Sequence, residues 1–439
     1  MSTAHPGRPA PAGPPAGPGR SRTPGAPLPG RLPQPTGRPA AGIPSPALRA
    51  ALERADTDRL VLDLDGIAGA HDALLRALPG ATDVRFAVKA CPVDPVLDRL
   101  AAHGAGFDAA SPAEITRALR AGAPVDRVHY GNTIKSDEQI AAAHRLGIRE
   151  YATDSVEDVT ALGRHAPGAR VFCRLATSGQ GALWGLSRKF GCSARDAVTV
   201  MERARAAGLV PAGLSVHVGS QQLTVSAWRE ALDRITDVLL ALDRRGIHLD
   251  HVNLGGGLPA LGYLDRAGRP LDPPLTGMLE EIRTGVARLR TRAGRPLRLV
   301  LEPGRHLVAD HGAIRARVAR LSTRQGPDGR DRHWLYLSCG KFNGLYEMDA
   351  VRHRLHFPTH PAGPGTPTVP AVIAGPTCDS DDAYAQDGLP TRVPAALASG
   401  DPVWILSTGA YATSYATEGF NGFDPLPVHF TALPVGAAR

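Results

Sequence analysis

The sequence has five cysteines (Cys91, Cys173, Cys192, Cys339 and Cys378), an odd number with no CxxC pair. That argues against a disulfide framework or a structural zinc site and for reduced thiols in a cytoplasm. No apolar run approaches the roughly 18 residues that a membrane helix needs, and the N-terminal region lacks the apolar stretch of a secretory leader. The first 45 residues contain no acid, only Arg8, Arg20, Arg22, Arg31 and Arg38. Those five arginines carry much of the formal charge of +8, leaving about +3 for the rest. A basic stripe with interleaved aromatics is also missing, so neither nucleic acid nor a membrane is expected as a partner.

What is present is a chain of 439 residues, 43% of them hydrophobic, long enough for two globular units with substantial cores. Residues 1–45 are rich in Pro, Gly, Ala and Arg with almost nothing to bury, and read as a disordered tail.

From residue 59 short apolar runs alternate with amphipathic stretches. "RLVLDLD" (59–65) is a first strand. Eight more runs begin at residues 84, 106, 127, 150, 170, 213, 251 and 297, each but the last followed by a helix-sized segment. Several of those segments open with Ser ahead of an acid, as in "SPAEI" and "SVEDV", a plausible N-cap. Eight βα units at this spacing predict a (β/α)8 TIM-like barrel over 65–310, with a doubly wound open sheet as the alternative. After Arg305 the helical period fades into Pro- and Gly-punctuated strands such as "TVPAVIAGPTC" and "PVWILSTGAYA". These predict a C-terminal β-sandwich or β-barrel-like domain, made of 46–64 plus 311–439.

In such a barrel the residues just past the strand C-termini share one face, where the active site lies. Lys89 closes the strand in "RFAVKACP", His217 opens "HVGSQ", Gly255, Gly256 and Gly257 follow "HVNL", and Glu302, Gly304 and Arg305 lie in "LEPGRHL". Each has a plainer reading: a rim lysine, a core histidine, a flexible loop, a salt-bridged turn. Their convergence on one mouth outweighs those readings. A lysine closing an apolar strand is expected to have a depressed pKa and to serve as a nucleophile. Glycines after a strand expose N–H groups to a phosphate. An amine, a phosphate nest, a guanidinium and a carboxylate together suit pyridoxal phosphate.

"FAVKACP", "GFDAASPAEI", "HVGSQ", "GGGLP", "EPGR", "GPTCDSDD" and "GAYATSYATEGFNGF" resemble, in order, motifs of the fold-type III pyridoxal phosphate decarboxylases. That family includes the ornithine, lysine, arginine and diaminopimelate decarboxylases, and the match runs from about residue 59 to 425. The resemblance implies that Lys89 bonds the cofactor, His217 stacks on its ring, and Glu302 pairs with the ring nitrogen. Ser220, Gly255–Gly257, Gly304, Arg305 and Tyr411 would hold its phosphate, with Asp108 and Arg174 as supporting residues. Cys378 resembles the thiol that returns a proton to the substrate carbon across a dimer interface, which implies a homodimer with composite sites.

The same resemblance directs the choice of substrate. Asp379, after Cys378, matches the residue that grips a distal ammonium in the ornithine and lysine branch, whereas the glutamine of "HVGSQ" leans toward the diaminopimelate branch. Glu347 is a candidate for a second ammonium contact, and Asp381 reads as a solvated loop charge. The expected reaction is decarboxylation of L-ornithine or L-lysine to a diamine. Alternatives are diaminopimelate or a specialised amino acid, racemisation, and a non-catalytic relative.

Overall fold

The computed structural model describes residues 43–80, 82–185, 189–326, 328–361, 363, 365–384 and 390–431. Most of the predicted tail lies outside the described residues.

Eight parallel strands close into a barrel: Thr82–Ala87, Gly106–Ala109, Val128–Tyr130, Glu150–Thr153, Arg170–Arg174, Val210–Ser215, His251–Asn253 and Arg298–Leu301. The eighth strand pairs with the first through Leu299–Thr82 and Leu301–Val84, which completes the ring. Every strand coincides with one of the eight predicted runs, so the barrel holds and the open-sheet alternative falls. Helices follow the strands, and several begin where serine caps were expected. Ser111, Ser155 and Ser193 accept the N–H groups of Glu114, Asp158 and Asp196, while Ser136 forms a full capping box with Gln139. Ser226 differs: it lies inside the helix Ser226–Asp243, whose cap is Val225. That helix is held by its apolar face, with Trp228, Leu232, Ile235, Leu239 and Leu242 buried at helical spacing. Each such side chain contributes about 1.5–3 kcal/mol on burial.

The predicted strand at 59–65 ends earlier, at Leu62. Asp63 turns its carboxylate onto the Gly66 N–H and starts the helix Leu64–Ala77. The short strand Arg59–Leu62 belongs to a second, nine-stranded sheet. There it pairs antiparallel with the long strand Gly312–Gln325 and parallel with Val428–Phe430. Gly312–Gln325 also pairs with Asp331–Leu337 and Pro402–Leu406, and Thr368–Ala374 extends the sheet. No helix among the described residues is long and apolar enough to cross a membrane.

Candidate active site

The barrel strands end at one mouth, and the turns beyond them line a small cavity. Its walls include Lys89, Asp108, His217, Ser220, Gly256, Gly257, Glu302, Gly304 and Arg305 from the barrel, together with Tyr411 from the chain that follows. Nine of the predicted cofactor residues thus meet Tyr411 in one place. Tyr411 is tied there by its backbone, which donates to the Ala90 carbonyl (2.7 Å) and takes a φ of 63°.

Lys89 sits on a single 3-10 turn after the first barrel strand, its side chain standing in the cavity and exposed to it. The expected depressed pKa is corrected by the structure. Burial lowers it, but Tyr411, Asp108 and Glu302 together outweigh burial and Arg174, and the amine is raised above its ordinary value. Two of those three groups come from distant strand ends, which a local reading of "FAVKACP" does not contain.

His217 behaves in the opposite way. Burial, then the charges of Arg174 and Lys89, push its pKa down to about 3. The Gly219 N–H donates to Nδ1 at 3.0 Å, which places the proton of the neutral ring on Nε2. The outcome is an uncharged flat ring beside the cavity. Gly255 and Gly257 have φ of 62° and 113°, where side chains are strained. A Cβ on Gly257 would stand 2.6 Å from Val218 Cγ2, and one on Gly256 3.0 Å from His217 Nε2. Among the described residues, the N–H groups of Gly256 and Gly257 donate to no backbone acceptor.

Glu302 Oε1 accepts from Asn253 Nδ2 at 2.5 Å, and Asn253 Oδ1 in turn accepts the Gly255 N–H at 2.8 Å. One asparagine therefore sets both the carboxylate and the start of the glycine turn. Asp108 is held below its ordinary range: burial pushes it up, but His129, Lys89 and Arg174 prevail. Arg174 does not line the cavity. It stacks over Phe190 at 5.0 Å and feels Glu302 and Asp108 through charge.

Arg305 is 4% exposed and heavily engaged. It donates to Ser220 Oγ (3.2 Å), to the Tyr263 hydroxyl (2.9 Å), and to both carboxylate oxygens of Glu347 (2.5 and 2.7 Å). Its guanidinium also lies 4.4 Å from the Trp184 ring and 4.8 Å from that of Tyr411. Burial lowers its pKa, but Tyr263, Glu347 and Tyr411 raise it further, so the charge is permanent. Glu347, expected to meet a substrate ammonium, is here the bidentate partner of Arg305.

Cys378 and Asp379 are exposed on the turn after Thr368–Ala374 and do not line this cavity. The Cys378 N–H donates to Asn421 Oδ1 (2.9 Å), joining that turn to "GFNGF". Asp382 is buried and braces the turn from within, accepting from Thr377 and from the Lys341 N–H. Asp381 is exposed but pairs with Lys341 at 3.0 Å, so it is more than a solvated charge. Gln221, whose type leaned toward diaminopimelate, is fully buried and bonded both ways to the Ala260 backbone (2.8 and 2.9 Å). It is locked by the fold and does not line the cavity. Tyr263, Trp184, Asn253 and His129 escaped the sequence reading. The polar residue closing the apolar "HVN" run was the available signal for Asn253.

Residues 64–309 match the pyridoxal binding domain of the pyridoxal-dependent decarboxylases. The chain belongs to that family. It is 30% identical over 388 residues to the lysine/ornithine decarboxylase of Selenomonas ruminantium, covering 88% of this chain and 93% of that one. It is also 30% identical over 359 residues to the diaminopimelate decarboxylase of Zymomonas mobilis, covering 79% and 80%. Among solved structures, SrLDC in complex with PLP and cadaverine superposes with a TM-score of 0.75 at 27% identity, over 88% of this chain and 94% of that one. The enzyme is a carboxy-lyase that uses pyridoxal phosphate. The cavity fits that cofactor chemically. It offers an amine, a neutral ring for stacking, a carboxylate with one oxygen already fixed, and, among the described residues, two glycine N–H groups with no backbone acceptor, beside a buried arginine now paired with Glu347.

Proposed function

We propose that the enzyme decarboxylates a basic amino acid, L-ornithine or L-lysine, to the corresponding diamine and carbon dioxide. The single observation carrying this reading is the cavity itself, where Lys89, His217, Glu302 and Arg305 converge. Pyridoxal phosphate supplies the electron-accepting ring that lets a carboxylate leave as carbon dioxide. Lys89 would supply the amine that holds the cofactor. His217 would support one ring face without adding charge, and Glu302 would pair with the ring nitrogen. Arg305, Ser220, Tyr411 and the glycine turn would hold the phosphate.

Cys378 donates the proton that replaces the carboxylate, and Asp379 pairs with the distal ammonium of the substrate. Both stand away from this chain's own cavity, so a second copy delivers them and the working unit is a homodimer. Support comes from exposed aromatics: Phe423, two residues past the Asn421 that binds the Cys378 N–H, is 36% exposed, and Tyr346 and Tyr415, which lead by ring contacts to Tyr411, are 57% and 45% exposed. The compartment is proposed to be the cytoplasm, in keeping with five free thiols.

The test is carbon dioxide release by the purified protein with added pyridoxal phosphate. L-Ornithine, L-lysine, L-arginine and meso-diaminopimelate are compared side by side. Preference for ornithine or lysine supports the reading. Preference for diaminopimelate replaces it with the activity named for the Zymomonas relative.

A further inference from the structure

The inside of a (β/α)8 barrel is normally filled by branched apolar side chains. Here Arg85 on the first strand reaches Glu150 on the fourth at 2.6 Å, a contact that crosses the barrel interior. His129 and His251 lie in the same interior, each 1% exposed, and Glu150 is 7% exposed. The strands leave room for them. A Cβ on Gly106 would stand 2.8 Å from Arg85 Cγ, one on Gly213 2.4 Å from His251 Nε2, and one on Gly131 1.8 Å from Asp108 Oδ1.

These groups form a connected series that reaches the cofactor mouth. His129 Nε2 lies 3.0 Å from Glu302 Oε1 and 3.2 Å from Asp108 Oδ1, while Nδ1 faces Glu150 Oε2 at 4.0 Å. Arg85 bridges Glu150 to Asp83 (2.9 Å), and Asp83 meets Arg127 and Arg298 beside an open cleft at the opposite mouth. A buried charge left unpaired is costly, so each carboxylate in this series meets a cation. His129 is one of those cations. Burial and Arg85 lower its pKa, but the bonds to Asp108 and Glu302 bring it up to about 9. Its Nε2 therefore carries a proton at neutral pH and has no lone pair for a metal, although the three ligand-type atoms lie within 4.8 Å.

We propose that His129 is a positioning residue for the cofactor ring: shared between Asp108 and Glu302, it pins Glu302 Oε1 and reserves Oε2 for the ring nitrogen. The proposal rests on the assignment of Glu302 to that nitrogen. His129 does not line the cavity, so it acts through Glu302. With Asn253 and His129 both on Oε1, rotation of the carboxylate would break two charge-assisted bonds together.

The test is a chemical double-mutant cycle that reads binding. Apoprotein of the parent, His129→Gln and Glu302→Gln is titrated with pyridoxal phosphate and with its 1-deaza analogue, in which carbon replaces the ring nitrogen. Tryptophan fluorescence gives both affinities, and thermal melting reports folding. The expectation is that His129→Gln weakens pyridoxal phosphate about tenfold to a hundredfold, the range of one hydrogen bond to a charged group, and barely changes the deaza analogue. Equal losses for both ligands in His129→Gln, with Glu302→Gln still discriminating between them, overturn the role of His129. Equal losses in Glu302→Gln overturn the placement of Glu302 instead. Should His129→Gln melt early, His129→Asn, a shorter amide, is judged by the same criterion.

Discussion

The cofactor side and the substrate side of this enzyme are built in contrasting ways. Lys89, His217, Glu302 and Arg305 meet in one cavity, braced by Asn253, Tyr263 and the strained glycine turn. Cys378 and Asp379 lie exposed on a turn of the second sheet, braced from below by Asp382 and held by local bonds to Asn421 and the Asp381 N–H, outside the cavity. A single chain thus assembles the proposed cofactor pocket by itself. The two residues proposed to handle substrate are presented outward. Cofactor capture and turnover should therefore separate cleanly under mutation.

The largest separation is between the two proposed reactive groups. Lys89→Ala should lose turnover by a thousandfold or more, about 4 kcal/mol of barrier, and lose the absorbance of covalently held cofactor. Cys378→Ala should keep that absorbance while carbon dioxide release or product identity changes. Mixing the two variants should restore the parental rate and product through one intact composite site; no recovery on mixing would break the comparison. Next, Asp379→Asn should raise KM for a diamino acid about tenfold to a hundredfold by removing a charged contact, with cofactor affinity unchanged by fluorescence titration.

Smaller effects belong to the cofactor side. Gly257→Ala forces a side chain into a φ of 113° and against Val218. About 1–3 kcal/mol of strain should appear as a lower melting temperature and weaker cofactor binding. The pH dependence of capture sharpens the contrast further. Since the Lys89 pKa is raised, its ammonium form dominates at neutral pH, and the reactive amine increases about tenfold per pH unit. The rate of cofactor capture by apoprotein should rise between pH 7 and 9, and a flat stopped-flow profile would contradict the raised pKa.

The barrel was legible because each of its eight strands is a short apolar run flanked by helical period. The family motifs added the residues at the strand ends. What stayed hidden depends on contacts between distant segments. The sign of the Lys89 shift comes from Tyr411, Asp108 and Glu302, none of them adjacent in sequence. Gln221 looked informative by type, yet its side chain is turned onto the Ala260 backbone. His129 in "RVHYG" and Glu150 in "EYATD" resemble ordinary polar positions of half-exposed strands. Only closure of the barrel puts them inside, opposite Arg85. A charged residue within an otherwise apolar run, on three strands of one barrel, was the available sign.

The backbone bond from Tyr411 to Ala90, directly beside Lys89, bears on how such enzymes can be recombined. The matched cofactor-binding region stops at residue 309, yet one wall of its pocket and the geometry of the lysine turn depend on a loop a hundred positions later. A gene fusion that transplants the barrel alone would carry an open-sided pocket with a slack turn under its reactive amine. Exchange of the C-terminal half between relatives would alter cofactor retention together with substrate choice. The two halves are thus heritable only as a matched set.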